Sequence, residues 1–189
     1  MLKMNVKECI SNKRSVRAYT EQEISDEVIN ELINLGTKAS TGSNHQPWGF
    51  VVIKNKDEIQ ALSEETKTYL LKNLEQYPYL QQYKSWLTNP KFSVFNHANC
   101  LIIVYGDTSS HWYVYDCTLA AGNIMLSAHD MGLGTCWIGF AEHVCNAPEF
   151  KEKYNVPENF ELVCPMSIGY MKTKMYPPVR KEPNIFWCR

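Results

Sequence analysis

At 189 residues the chain has the length of a single domain, since one hydrophobic core serves a chain of that size without splitting. With 44% hydrophobic, 12% aromatic and 21% charged residues it has the make-up of a globular protein and not of a disordered or fibrous one. The 19 Lys+Arg against 20 Asp+Glu leave a formal net charge of −1, too weak a field to gather nucleic acid or an anionic membrane surface.

In chain order, a short helix is expected over Val6–Asn12, followed by the basic stretch Lys13-Arg14-Ser15-Val16-Arg17. A second helix is expected over residues 26–38, with Ser25 as N-cap, Asp26 and Glu27 at the positive end of its dipole, and Val28, Leu32 and Leu35 recurring at helical spacing. The polar loop 40–47 leads into Trp48-Gly49-Phe50-Val51-Val52-Ile53, whose β-branched content reads as a strand. Residues 57–86 regain helical propensity and break at Pro78; they are rich in Tyr, Leu and Gln, the make-up of a cover over something else. The apolar run 100–105 reads as a buried strand closed by Gly106-Asp107.

Residues 113–131 show the clearest helical period, with Val114, Cys117, Ala121, Ile124, Met125 and Ala128 on one face and Gly132 as the stop. The small residues Ala120, Ala121 and Gly122 would let another element come close. A third strand is expected over 134–138. The form Asn146-Ala147-Pro148-Glu149 predicts a capping box opening a short helix to about Tyr154, and a fourth strand spans 161–170. The tail beyond Met171 is a Pro-containing arm ending in Ile185-Phe186-Trp187, aromatics that call for a partner subunit to cover them. No repeat or linker divides the sequence, so residues 1–189 form one domain in this reading.

Seven cysteines, an odd number with no Cys-x-x-Cys pair, argue against a disulfide framework and a zinc ribbon and point to reduced, packed thiols. His97 with Cys100, and His143 with Cys145, match no standard zinc spacing, so no metal is expected. Cys136 and Cys164 sit in apolar strand runs, where a thiol is a poor nucleophile. Met1 to Ile10 lacks the apolar core of a signal peptide and no later run is long enough to span a bilayer, which predicts a cytoplasmic chain.

Lys13, Arg14, Ser15 and Arg17 put three cations and a hydroxyl within five positions, a pattern that suits an anion but that on spacing alone reads first as a solvated basic turn. The loop 40–48 offers hydroxyls, a glycine and the carboxamides of Asn44 and Gln46, which can each donate and accept to the edge of a flat heterocycle; a turn before a core Trp explains them as well. Gly132-Leu133-Gly134-Thr135 follows a helix instead of opening one and lacks a third glycine, so it is no dinucleotide loop.

Four segments resemble the FMN-dependent nitroreductases, in that family's order. Arg14-Ser15-Val16-Arg17-Ala18-Tyr19 is similar to the N-terminal basic-Ser-x-Arg-x-aromatic signature, and Asn44-His45-Gln46-Pro47-Trp48-Gly49-Phe50 to Asn-x-Gln-Pro-Trp-x-Phe. The run from Asp116 through Gly132-Leu133-Gly134-Thr135-Cys136-Trp137-Ile138-Gly139 resembles the central helix and following strand, and Ile168-Gly169-Tyr170 with Arg180-Lys181 completes the set. The resemblance implies an α+β fold, a three-layer α/β/α sandwich around a mainly antiparallel sheet, in an extensive homodimer whose C-terminal arm is swapped onto the partner, with FMN at each end of the interface.

By the same carry-over, Lys13, Arg14, Ser15 and Arg180 hold the ribityl phosphate, and Arg17 lies toward the pyrimidine side of the isoalloxazine, where a cation favours the reduced ring. Ser40, Thr41, Gly42, Asn44 and Gln46 contact the FMN bound chiefly by the other subunit, and Cys136, Trp137, Ile138 and Gly139 run past the flavin N5 edge. The implied activity is ping-pong transfer from NADH or NADPH through FMN to a small organic acceptor such as a nitroaromatic or quinone, with no side-chain proton donor assigned. Three alternatives stay open: another FMN reaction, such as ring dehydrogenation or dehalogenation; a flavin-binding module with little turnover; and a cofactor-free domain. The chain departs from the family in having Ser40-Thr41 where Pro-Ser is common and Lys13 where Arg is usual, and residues 57–95 match no signature.

Overall fold

The structure, a computed structural model, describes residues 5–173, 175, 176 and 178–188. Among these, four strands form one antiparallel sheet in the order β1-β2-β4-β3: β1 (Trp48–Ile53), β2 (Cys100–Asp107), β3 (Leu133–Trp137) and β4 (Phe160–Tyr170). Alternate side chains of the central strands point to opposite faces, and both faces are covered. Cys100, Ile102 and Val104 meet α2 (Asp26–Gly36) and α5 (Tyr113–Asp130) on one side. Leu101, Ile103 and Tyr105 meet α3 (Lys56–Lys72), α6 (Glu142–Cys145) and α7 (Pro148–Lys153) on the other. This double cover is why β2 reads as one unbroken apolar run, and it makes the α/β/α sandwich expected from the resemblance.

Several boundaries shift from the sequence reading. The first helix, α1 (Val6–Asn12), falls where expected. Ser25 caps α2 through Val28 N, as expected, but the helix stops at Gly36 and buries Ile29, Leu32 and Gly36 in place of the Val28-Leu32-Leu35 stripe. The cause is contact with α5: a Cβ on Gly36 would lie 2.7 Å from Ile124 Cγ1, so this position turns inward. The helix in the 57–86 stretch ends at Lys72, capped by Asn73, whose side-chain amide donates to Tyr69 O at 2.8 Å; Pro78 instead opens a 3-10 turn (Pro78–Tyr83) that leads into α4 (Lys84–Leu87). Residues 106–107 continue β2 instead of closing it, because Gly106 and Asp107 pair with Glu161 and Phe160 of β4.

On α5, Val114 is exposed and not on the core face, which Cys117, Ala120, Ala121, Ile124 and Ala128 form. The proposed capping box at residue 146 does not exist: Ala147 is the N-cap of α7 and makes no side-chain cap, while Asn146 Oδ1 accepts from Leu162 N at 3.0 Å and ties α6 to β4. Gly132 has φ of +79°, the left-handed stop expected of it. Among the described residues no helix is long and apolar enough to cross a membrane.

Candidate functional site

The basic stretch after α1 is laid along the edge of the sheet. Val16 N donates to Thr135 O at 2.9 Å, and Ser15 bridges Thr135 in parallel register. Gly134 permits this approach, since a Cβ there would meet Val16 at 2.5–2.6 Å. Tyr19 anchors the far end: buried, its hydroxyl donates to Val16 O at 2.8 Å and pairs with Ser167 Oγ at 3.0 Å. Arg17 lies between these two anchors, and Lys13 and Arg14 lie between the first of them and the end of α1, where Lys13 N donates to Cys9 O at 2.9 Å, so main chain sets where each cation starts.

They open onto a cavity of about 680 Å³. Lys13, Arg14, Ser15 and Arg17 line it, and Arg180, far away in sequence, joins them from the C-terminal arm. Gly122, Met125 and Leu126 of α5 form its apolar side. Arg14 Nη1 donates to Lys13 O at 2.6 Å, while Arg14 Nε is buried with no hydrogen-bond partner. Lys13 Nζ donates to a thioether, Met125 Sδ at 3.2 Å, and burial pulls its pKa below the ordinary lysine range. None of the ion pairs among the described residues engages Lys13, Arg14, Arg17 or Arg180. Four cations line one cavity whose described lining residues include no carboxylate, which makes it a site for an anion.

Arg17 also lines a second cavity, of about 670 Å³, together with Cys136, Trp137, Ile138 and Gly139 at the end of β3. Ile138 N donates to Pro165 O at 2.8 Å, which fixes the path of that turn. The opposite wall is aromatic: Tyr79, Tyr83, Trp86, Phe92 and Phe140. Cys136 is buried, and burial raises its thiol pKa despite the nearby cations, so it is a packed side chain and no thiolate.

The third expected group is not here. Ser40, Thr41, Gly42, Asn44 and Gln46 line neither cavity of the chain that carries them. Instead Asp116, buried in the first turn of α5, accepts Gly42 N through both carboxylate oxygens at 3.1 and 3.2 Å. Ser43, Asn44 and Gln46 all have positive φ, and Gln46 Nε2 donates to Asn44 Oδ1 at 3.1 Å. The loop is thus a shaped, exposed feature at the N-terminal end of α5. Residues 122–126 of the same helix lie about 9–15 Å further along at 1.5 Å per residue.

The other sequence candidates are explained by packing. His97 Nε2 pairs with Lys91 O at 3.2 Å, and His143 lies against Tyr77 and Tyr69 with ring centroids 4.7 and 5.3 Å away. Cys9, Cys100, Cys117, Cys145 and Cys164 are buried, and burial lifts the thiols of Cys100, Cys117 and Cys145 to about 12. Sequence reasoning missed Asp116 as the anchor of the loop, and Glu142 and Asn96 as cavity residues; the one sequence cue was that Glu142 comes three residues after the matched Gly139.

Comparison with known proteins places this geometry. The chain is 27% identical over 176 residues to a protein of Archaeoglobus fulgidus provisionally named an NADH dehydrogenase/NAD(P)H nitroreductase, covering 88% of this chain and 87% of that one. It is 24% identical over 186 residues to the iodotyrosine deiodinase of Hydra vulgaris, covering 90% and 67%. Its fold is similar to that of a crystallised nitroreductase with bound FMN from Bacteroides fragilis, with a TM-score of 0.84, 25% identity and coverage of 98% and 100%. The model of the Nitroreductase family matches residues 10–170, and the chain belongs to that family.

Proposed function

We propose that the chain is an FMN-dependent oxidoreductase that works as a homodimer and passes reducing equivalents from NADH or NADPH to a small organic acceptor such as a nitroaromatic or quinone. The observation that carries this reading is that an anion-seeking cavity and an aromatic cavity share Arg17. A phosphate linked to a flat ring system would need two such chambers side by side.

The residues present fit that group. Arg14 Nε lacks an acceptor, which a phosphate oxygen would supply, and a Cβ at Gly122 or Gly139 would meet nothing within 4 Å, so the floors of both chambers are open. Lys13, Arg14, Ser15 and Arg180 would hold the phosphate by charge-assisted hydrogen bonds, and Arg17 would bring positive charge to the pyrimidine side. The backbone of Trp137, Ile138 and Gly139 would bound the ring edge. When bound, FMN supplies the two-electron chemistry, taking hydride from a reduced nicotinamide and passing it on. The chain's own contribution is to bind, orient and shield.

Dimerisation is supported by what this protomer leaves uncovered. Trp112, Val114, Tyr115 and Leu119 of α5 and its N-terminal flank are 45–65% exposed, and Val179, Phe186 and Trp187 of the arm are 73–100% exposed. A two-fold axis near Leu119 would run two α5 helices antiparallel, bringing the 112–116 end of one beside the 122–126 segment of the other. That carries the partner's loop with Ser40, Thr41, Gly42, Asn44 and Gln46 to this chain's basic cavity, which accounts for a shaped polar loop with no site of its own.

The likeness to a deiodinase supports a second reading, reductive halogen removal at the same flavin. The first test is the visible absorbance of the purified protein before and after anaerobic NADH or NADPH. A flavin spectrum that bleaches, and returns on adding a nitroaromatic or quinone, is the expected result; return only with a halogenated phenol selects the second reading. A flavin that does not bleach means a binding module, and no flavin after reconstitution sinks the proposal.

A further inference from the structure

Residues 73–96 carry none of the four signatures, yet they build one wall of the aromatic cavity. Tyr83 lies at its centre, with ring centroids 5.4 Å from Trp86 and 5.1 Å from Phe140, and Phe92 closes the group at 6.0 Å from Trp86. Trp86 and Tyr79 are 53% and 58% exposed, so the wall keeps large aromatic surfaces free for a ligand. Behind it, Leu70, Leu74, Leu80 and Leu87 are buried as a core of their own that holds the rings in place. A wall of this kind rewards a flat aromatic guest, by area and by ring-to-ring contact.

Charge then selects among flat guests. Of the described residues lining the cavity, two are charged, Arg17 and Glu142. Arg17 also lines the basic cavity and, in the reading above, is engaged by the pyrimidine side of the flavin and is not left for the guest. Glu142 opens α6 two residues beyond Phe140, is exposed, and forms none of the ion pairs among the described residues. The carboxylate is therefore the free charge that a guest on the aromatic wall meets.

We infer that this cavity selects planar aromatic acceptors without an anionic substituent, and that Glu142 is the specificity-determining residue that turns carboxylates away. The inference rests on the flavin oxidoreductase reading for the identity of the guest as an electron acceptor. A ligand carboxylate held about 6 Å from Glu142 in a half-aqueous setting binds about threefold to tenfold more weakly than a neutral ligand of the same shape.

The test is a matched pair, 4-nitrobenzamide and 4-nitrobenzoate, titrated into the oxidised full-length protein by calorimetry with no nicotinamide present, so that binding is read without turnover. The amide binds more tightly by at least about threefold. Glu142→Gln narrows that gap by strengthening the carboxylate, whereas Glu142→Asp keeps it. Equal affinities, a tighter carboxylate, or a gap that Glu142→Gln leaves unchanged would overturn the inference. The reading on which it rests fails separately, by a flavin that NADH and NADPH do not bleach.

Discussion

The two cavities that meet at Arg17 are built in opposite ways. The basic one is aimed by backbone: Val16 N bonds Thr135 O, Tyr19 pins the next turn, and Lys13, Arg14 and Arg17 flank the point where the chain is registered against β3. The aromatic one is aimed by packing, since Tyr83, Phe92 and Phe140 stand on a four-leucine core outside the sheet, and Tyr79, Tyr83 and Trp86 come from a segment with only a 3-10 turn and one helical turn. A group such as a phosphate, which does not vary between substrates, suits a holder built into the sheet. A wall with its own core can change its rings without disturbing the sheet, and it is where acceptor preference would be set.

Removing the wall's foundation should have the largest effect. Leu80 is fully buried, and Leu80→Ala deletes its side chain from a small core that cannot easily refill; the expected cost is about 2–5 kcal/mol in a denaturant melt. If the two regions are separate, nitroaromatic binding weakens while FMN affinity holds in the protein that remains folded. A parallel fall in FMN affinity would show that the wall and the sheet edge act as one unit. On the other side of Arg17, Arg14→Ala removes the guanidinium whose Nε is buried without a partner, and should weaken FMN by about 1.5–3 kcal/mol in a fluorescence titration. Arg180→Ala, on an exposed arm, belongs at the low end of that range. Unchanged affinity in both would mean the phosphate lies elsewhere.

The same division explains what the sequence told in advance. β1 was legible because aromatic Trp48 and Phe50 lead straight into the β-branched Val51, Val52 and Ile53, and α1, Ser25 and Gly132 announced themselves through local chemistry. Lys13, Arg14, Ser15 and Arg17 were legible as a cluster because they are adjacent, and Arg180 only through the family resemblance, since nothing local ties it to residue 14. What failed were mostly features decided by tertiary contact. Gly36 was hidden by the demand of Ile124 and Asn146 was drawn from a cap to β4, whereas the end of helix α3 was a local miss, Asn73 bonding back to Tyr69 O five residues before the proline. Glu142 and Asn96 reach one cavity from points 46 residues apart, and no spacing rule joins them.

The smallest expected effect sharpens the comparison through pH. His129, in the last turn of α5, has Nε2 buried without a hydrogen-bond partner. Burial, and then the charges of Arg14 and Lys13, hold its pKa below the ordinary 6.5, with Asp130 pulling the other way. The unfolded chain therefore takes up the proton first as pH falls. The stability that neutral His129 permits is fully present above about pH 6.5 and is lost as pH drops from there toward the lower folded-state value. One proton changes stability by at most about 1.4 kcal/mol per pH unit, and partial solvent screening of His129 leaves a fraction of that. His129→Gln should flatten the slope of melting temperature between pH 7.5 and 5. A phosphate bound beside Lys13 and Arg14 offsets their charge, so FMN should shrink the difference between wild type and variant, whereas a ligand confined to the aromatic cavity should not. Equal slopes with and without FMN would separate His129 from the anion site and leave only burial to explain its shift.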